Sequence, residues 1–167
     1  LYRQHHRLGQ LGDQTVMPLL TDEHRAWIGT ADPAVTVEVT RRDIQKYAAA
    51  TEQQQVRYLQ GDEAPPMFIF NLFSEIPALN KLRADGLARG GGAGPKLPLK
   101  RIMAGGTEIQ QHRPIRAGDV LTGTRRLKDI YEKQGNSGPL IFMVRELAII
   151  DGQGAPVMTE IQTSIAR

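Results

Sequence analysis

Between Gln111 and Leu121 the chain reads QHRPIRAGDVL, and this stretch constrains the fold more than any other. A Pro-x-x-x-Gly-Asp element between two β-prone runs is a chain reversal with a mechanism. Pro114 cannot donate to a central ladder, Gly118 tolerates positive φ, and Asp119 can bond nearby backbone. Val120 to Leu127 and Leu140 to Ile150 follow, then an Asp151-Gly152 turn and Val157 to Ile165. The second half therefore reads as an antiparallel sheet.

Upstream, helix signals dominate. Asp22 to Arg25 followed by Ala26 to Gly29 suits a short helix with acids in its first turn and glycine at its end. Val35 to Val39 alternates like a strand. Thr40 and Asp43 offer a capping box that opens a helix, with Ile44, Tyr47, Ala48 and Thr51 on its inner face. That helix ends in the polar run Glu52 to Gln55, and Arg57 to Glu63 reads as a loop. Ala64-Pro65-Pro66 then starts an element, apolar almost all round from Met67 to Ile76, that Pro77 ends. A helix apolar on most sides is a buried one. Leu79 to Ala88 suits another short helix, and Gly86 to Gly94, with five glycines, reads as a flexible connection. The sheet begins near Leu99, with Arg101 to Met103 and Thr107 to His112. The reading is α+β: about four antiparallel strands and one strand upstream, curved around one long central helix.

Composition removes several functions. At 167 residues and 40% hydrophobic, the chain has material for one core and one domain. With no cysteine there are no disulfides, thiolate nucleophiles or Cys-ligated zinc. The apolar runs are too short to span a bilayer. A net charge of +3 with both signs interspersed makes no nucleic-acid stripe, and 5% aromatic residues offer no base-stacking platform. The one basic cluster, Lys81, Arg83, Arg89, Lys96, Lys100 and Arg101, suits either a phosphorylated ligand or a solvated loop. Gly90-Gly91-Gly92 lacks the flanking strand and capped helix of a nucleotide fingerprint. Residues 1–19 read as an N-terminal extension or tag without a signal-peptide core, so the expectation is a domain over 20–167 in the cytoplasm.

In order and spacing, a set of short blocks resembles the MaoC-like acyl-CoA dehydratases. These are Ala64 to Phe68, Gly106-Thr107-Glu108, His112 to Asp119, Tyr131-Glu132-Lys133 and Arg145-Glu146, with Trp27 to Gly29 and Val39 to Ile44 upstream. The likeness covers roughly Leu20 to Arg167 and is greatest to the family's N-terminal-type half, which also looks like the dehydratase region of fungal fatty acid synthase. It implies a single hot-dog fold, with Pro66 to Ile76 as the central helix inside the sheet. It implies an acyl-CoA ligand, with coenzyme A entering as part of the substrate, no metal and no separate cofactor. The implied reaction is (R)-specific, reversible addition of water to a 2-enoyl thioester. Such a reaction needs a base for water, an acid for the α-carbon and N–H groups for the thioester oxygen.

Catalytic members of that family carry the acid–base pair as D-x-N-P-x-H before the central helix. Here the matching stretch is Gln53-Gln54-Gln55-Val56-Arg57-Tyr58. A glutamine amide accepts no proton near neutral pH, and tyrosine, with a pKa near ~10, is a poor base. The dyad is absent. Replacement acids are Glu52, Asp62 and Glu63, and Tyr58 is either a carbonyl-orienting group or a loop anchor. Pro66, Met67 and Phe68 are core residues that also suit an acyl tunnel. Gly105 and Gly106 suit an oxyanion or a β-bulge. His112 suits substrate contact or a structural strand end, and Arg113 and Arg116 suit coenzyme A phosphates or local ion pairs. Three functions follow: a hydratase half completed by a homologous dyad-bearing partner or by itself in a dimer or tetramer; a self-sufficient hydratase or thioesterase with displaced acids; and a non-enzymatic acyl-CoA-binding module.

Overall fold

The computed structural model describes residues 18–74, 76–86 and 94–167. The N-terminal stretch to residue 17 and the glycine-rich connection at 87–93 lie outside the described residues. A four-residue helix, α1 (Asp22–Arg25), leads to strand β1 (Val35–Glu38), then to α2 (Arg41–Ala50) and a single turn, α3 (Val56–Leu59). Two 3-10 segments follow, Pro66–Asn71 and Leu79–Lys81, before β2 (Ile102–Gln111), β3 (Val120–Gly135), β4 (Gly138–Asp151) and β5 (Pro156–Ala166). All pairings are antiparallel, in the order β1-β3-β4-β5-β2.

The reversal forms as its residues dictate. Gly118 has φ +90°, and the Asp119 carboxylate accepts from the Arg116 amide and the Arg113 guanidinium, both at 2.8 Å. The turn is also a junction. Gly118 N–H donates to Val39 C=O and Val39 N–H to Asp119 C=O, while Ala64 N–H donates to Ile115 C=O, each at 2.8 Å. The reversal thus pins the end of β1 and the loop before the first 3-10 segment to the sheet.

α2 begins as expected: the Thr40 hydroxyl oxygen accepts from Asp43 N–H at 3.1 Å. Ile44 and Ala48 are buried, and Tyr47 is half-buried against Phe68, ring to edge at 5.7 Å. Thr51 is exposed rather than inward, because it ends the helix and donates its hydroxyl to Tyr47 C=O. Arg57 to Leu59, expected as loop, belongs to α3.

The larger correction concerns the central helix. Instead of a long helix to Ile76 there is a six-residue 3-10 segment, with i→i+3 bonds from Phe68 N–H to Pro65 C=O and Leu72 N–H to Ile69 C=O. Phe68, Ile69 and Phe73 are buried on the sheet, but Ile76 is 94% exposed because the chain has by then left the sheet. The short segment covers only part of the inner face. With α2 it closes one apolar cluster, including Ile44, Leu121, Leu147, Ile149 and Met158. Leu20, Leu97 and Leu99 close a second over Leu127, Ile130, Ile141 and Ala166.

Opposite the reversal, Arg113 also reaches Asp151 at 3.6 Å. Its hydrogen bond to Asp119 holds the guanidinium more firmly protonated than usual. Amides of Ala155 and Gln153, and then Arg113, hold the Asp151 carboxyl below the ordinary aspartate range. The unfolded chain therefore takes up this proton first, so the stabilisation is present above the ordinary aspartate pKa and lost as pH falls through the lower folded value. Thermal melts from about pH 5 to pH 2 should show Asp151→Asn losing less stability than the wild type on acidification; parallel curves would contradict this role.

Candidate functional site

The stretch matching the missing dyad is well formed. Glu52 leaves α2 in the left-handed region, φ +53°, and is exposed. Gln55 is extended at the N-cap of α3 and Val56 takes the first helical position. This is the local geometry that Asn-Pro would adopt, since proline suits the first turn and forces its predecessor to be extended. The backbone at Gln55-Val56 is thus one that an Asn-Pro pair would also fit.

Two of the replacement acids are held in ion pairs. Asp62 is paired with Arg41 at 2.5 Å, both side chains about half exposed, and Arg41 also donates to Gln60 C=O. Glu63 pairs with Arg57 at 3.5 Å. Tyr58 is buried at 6% exposure, with Arg57 stacked 4.9 Å over its ring and donating to its hydroxyl at 3.1 Å. This is the anchoring role. Among the described residues neither histidine pairs with a carboxylate. His24 bonds Thr21 and Lys96 C=O, and exposed His112 faces Thr159 Oγ1 at 3.4 Å.

An apolar cleft of about 410 Å³ lies at the start of the 3-10 segment, lined by Tyr47, Met67, Phe68 and Phe70. Partial burial raises the Tyr47 hydroxyl pKa, which keeps it a neutral hydrogen-bonding group. Met67 and Phe70 are 40% and 48% exposed, so the cleft opens outward over apolar side chains. Met67 and Phe68 were expected here. Pro66 only starts the segment and is exposed. Tyr47 and Phe70 were not marked as site residues, although their positions on an inner helix face and in an all-apolar run carried the signal.

The other expected site residues lie elsewhere. Gly105 and Gly106 form a bulge in β2, where a Cβ on Gly105 would stand 3.0 Å from Ile165 and 3.1 Å from Thr163. His112 follows β2, and Arg113 is committed to Asp119 and Asp151. Arg116 bridges the backbone of Glu63. A larger cavity of about 650 Å³, between Leu99, Arg101, Arg167 and the β3–β4 hairpin, contains none of these residues.

One residue escaped the sequence reading. Glu160 in β5 is 2% exposed, and its Oε1 has no hydrogen-bond partner. Its row across the sheet reads Arg125, Leu147, Glu160, Ile109. Desolvation raises its pKa, opposed by the charge of Arg125.

Comparison with known proteins places this geometry. The chain is 29% identical over 118 residues to mesaconyl-C(4)-CoA hydratase from Chloroflexus aurantiacus, a match covering 71% of this chain and 42% of that protein. The chain therefore spans less than half of that relative's length. A MaoC-like dehydratase from Phytophthora capsici superposes with a TM-score of 0.64 at 19% identity, covering 89% of this chain and 50% of that one. The ChsH1–ChsH2 complex from Mycobacterium tuberculosis gives 0.61 at 16% identity, with 87% of each chain covered. The five-stranded sheet with its short inner segment is thus a hot-dog fold. Residues 26–160 match the family described as "FAS1-like, dehydratase domain region", and the chain belongs to that family of MaoC-like dehydratases.

Proposed function

We propose that this chain is the acyl-holding half of a two-unit hydratase that adds water to 2-enoyl-CoA thioesters, with the acid–base pair supplied by a homologous second unit. One observation supports the reading: Tyr47 of α2 lines an apolar cleft with Met67, Phe68 and Phe70, and the segment that follows α2, which resembles D-x-N-P-x-H in place, holds Gln53 and Tyr58 where that motif has its acid and its imidazole. Met67, Phe68 and Phe70 would take the acyl chain and exclude water, and Tyr47 would present a neutral hydroxyl. The partner's base would take a proton from water as its oxygen attacks the β-carbon, and an acid would protonate the α-carbon.

The outer strand β2 is the natural seam. It ends the sheet, is ten residues long and is exposed along nearly all of them, with Ile102 and Met103 at 57% and 43%. A long apolar edge of this kind invites a second strand. Edge pairing there would bring the Gly105-Gly106 bulge and His112 to the junction. The mesaconyl-C(4)-CoA hydratase, of which this chain matches 42%, is long enough for a second unit of similar size.

Mixing the chain with a hot-dog protein that carries an intact D-x-N-P-x-H should raise crotonyl-CoA hydration at least about tenfold over that protein alone, since positioning of substrate is commonly worth ~10² in rate. A mixture no faster than the partner alone would remove the shared-site reading.

A further inference from the structure

The β3–β4 hairpin meets the end of β5 and the start of β2 around the cavity of about 650 Å³, which the reaction above does not use. Leu99, Pro139 and Leu140 give it apolar walls, and Arg101 and Arg167 line it from the strand ends. These two arginines stand directly opposite each other. Arg101 N–H donates to Arg167 C=O at 3.1 Å, and Arg167 N–H donates to Arg101 C=O at 2.9 Å. A pair that exchanges both bonds has its Cα atoms about 5.5 Å apart and its side chains on one face of the sheet.

Neither guanidinium has a hydrogen bond or ion pair among the described residues, and no acidic side chain lines the cavity. Lys133 adds a third cation to the same row. It pairs with Leu140, and the neighbouring pair Ile141–Ala166 places Leu140 beside Arg167. Its ammonium stands 5.3 Å from the Tyr131 ring and 5.4 Å from the Phe142 ring. Glu132, one residue back, points to the other face, where it accepts from the Leu19 amide. Like charges directly opposite in a sheet are destabilising, and an anion between them reverses the sign.

The anion can be specified further. Each guanidinium presents a planar fork of N–H donors. One fork satisfies both oxygens of a carboxylate, whereas two forks on one side of a sheet match a phosphate group, with three free oxygens and nearly two negative charges. The apolar walls suit an organic group joined through the fourth oxygen, and the volume is that of a small-ligand site. The place is distinct from the acyl cleft. Leu121 belongs to the apolar cluster that contains Phe68, a wall of that cleft. Lys133 lies twelve residues further along β3, roughly 40 Å of strand.

We propose that Arg101 and Arg167 bind the phosphate of a small phosphate monoester whose organic part lies along Leu99, Pro139 and Leu140, at a second site independent of the acyl cleft.

Phenyl phosphate is the probe, with benzoate as a carboxylate of similar apolar bulk. Calorimetric titration of the full chain should give at least about tenfold tighter binding of phenyl phosphate, the usual worth of one charged hydrogen bond. Inorganic phosphate, which has nothing to set against the apolar walls, should bind more weakly than phenyl phosphate. Arg101→Gln and Arg167→Gln should each weaken phenyl phosphate by about tenfold or more, while Lys100→Gln, next in sequence but outside the cavity, should leave it unchanged. Phenyl phosphate should also raise the Tm of the wild type and not that of the double arginine variant. Benzoate binding as tightly as phenyl phosphate would overturn the inference. So would phenyl phosphate affinity that survives the double variant in a protein with an intact thermal transition. Displacement of phenyl phosphate by crotonyl-CoA would overturn the independence of the site.

Discussion

Gly123→Val is expected to cost more stability than any other single change on the inner face of the sheet. Gly123 lies in β3, between Val35 of β1 and Ile149 of β4 in register. A Cβ there would stand 2.6 Å from both Cγ and Cδ1 of Phe73, inside hard contact. Phe73 is 5% exposed and packed in the larger apolar cluster, so its ring cannot swing away without leaving a void. Overpacking of a dense core costs about 1–3 kcal/mol, and losing a buried phenyl ring about 3–5 kcal/mol. Alanine should fall in the first range and valine at or above the second, with a Tm drop on the order of 10 °C. Combining Gly123→Ala with Phe73→Leu should recover part of the loss, since the smaller side chain vacates the space the methyl needs. A valine variant that melts within a degree or two of wild type would show that Phe73 does not pin the 3-10 segment to β3.

Glu160→Leu should act in the opposite direction and stabilise the domain. The carboxyl is desolvated at Oε1, which has no hydrogen-bond partner, while leucine fills similar space and brings no polar atom. Relief of one buried unpaired polar group is worth about 1–3 kcal/mol. The sign with pH is fixed by desolvation, which raises the Glu160 pKa in the fold. A raised folded pKa favours folding below the unfolded value, near ~4.3, and that advantage is lost as pH rises through the folded value. The leucine variant should therefore exceed the wild type by more at pH 7 than at pH 4, as thermal melts at the two values would measure. A variant less stable than wild type at neutral pH would mean that Glu160 is satisfied in the fold and is not held there at a cost.

What the sequence made legible was local chemistry. The reversal at Pro114 to Asp119 was readable because each residue bonds or restricts its own neighbourhood, and the Thr40 cap for the same reason. The strands were readable from their alternation and from the Asp151-Gly152 turn. The length of the inner helix was not, because Met67 to Ile76 is apolar almost all round and has no clear period to say where the sheet stops covering it. Glu160 was hidden by parity. Thr159, Ile161, Thr163 and Ile165 form the more apolar series in β5, yet Met158, Glu160 and Ala166 are the buried ones. Register, set by the pairing of β5 with β4, decides which series is buried, and register is a long-range property. The cleft was half visible: Met67 and Phe68 were marked, while the partnership with Tyr47 depends on how α2 lies against the 3-10 segment. Gln53 and Tyr58, from which the proposal of an acid–base pair supplied elsewhere starts, are readable in the sequence alone.

The central claim is that the chain holds an acyl thioester and lacks the means to move the protons. Crotonyl-CoA added to the purified chain alone tests it most directly, with binding followed by calorimetry and hydration by loss of enoyl absorbance on the same sample. The account predicts saturable binding with a hydration rate no higher than in buffer. Hydration by the chain alone, abolished by substitution of Glu52, Asp62 or Tyr58, would contradict it.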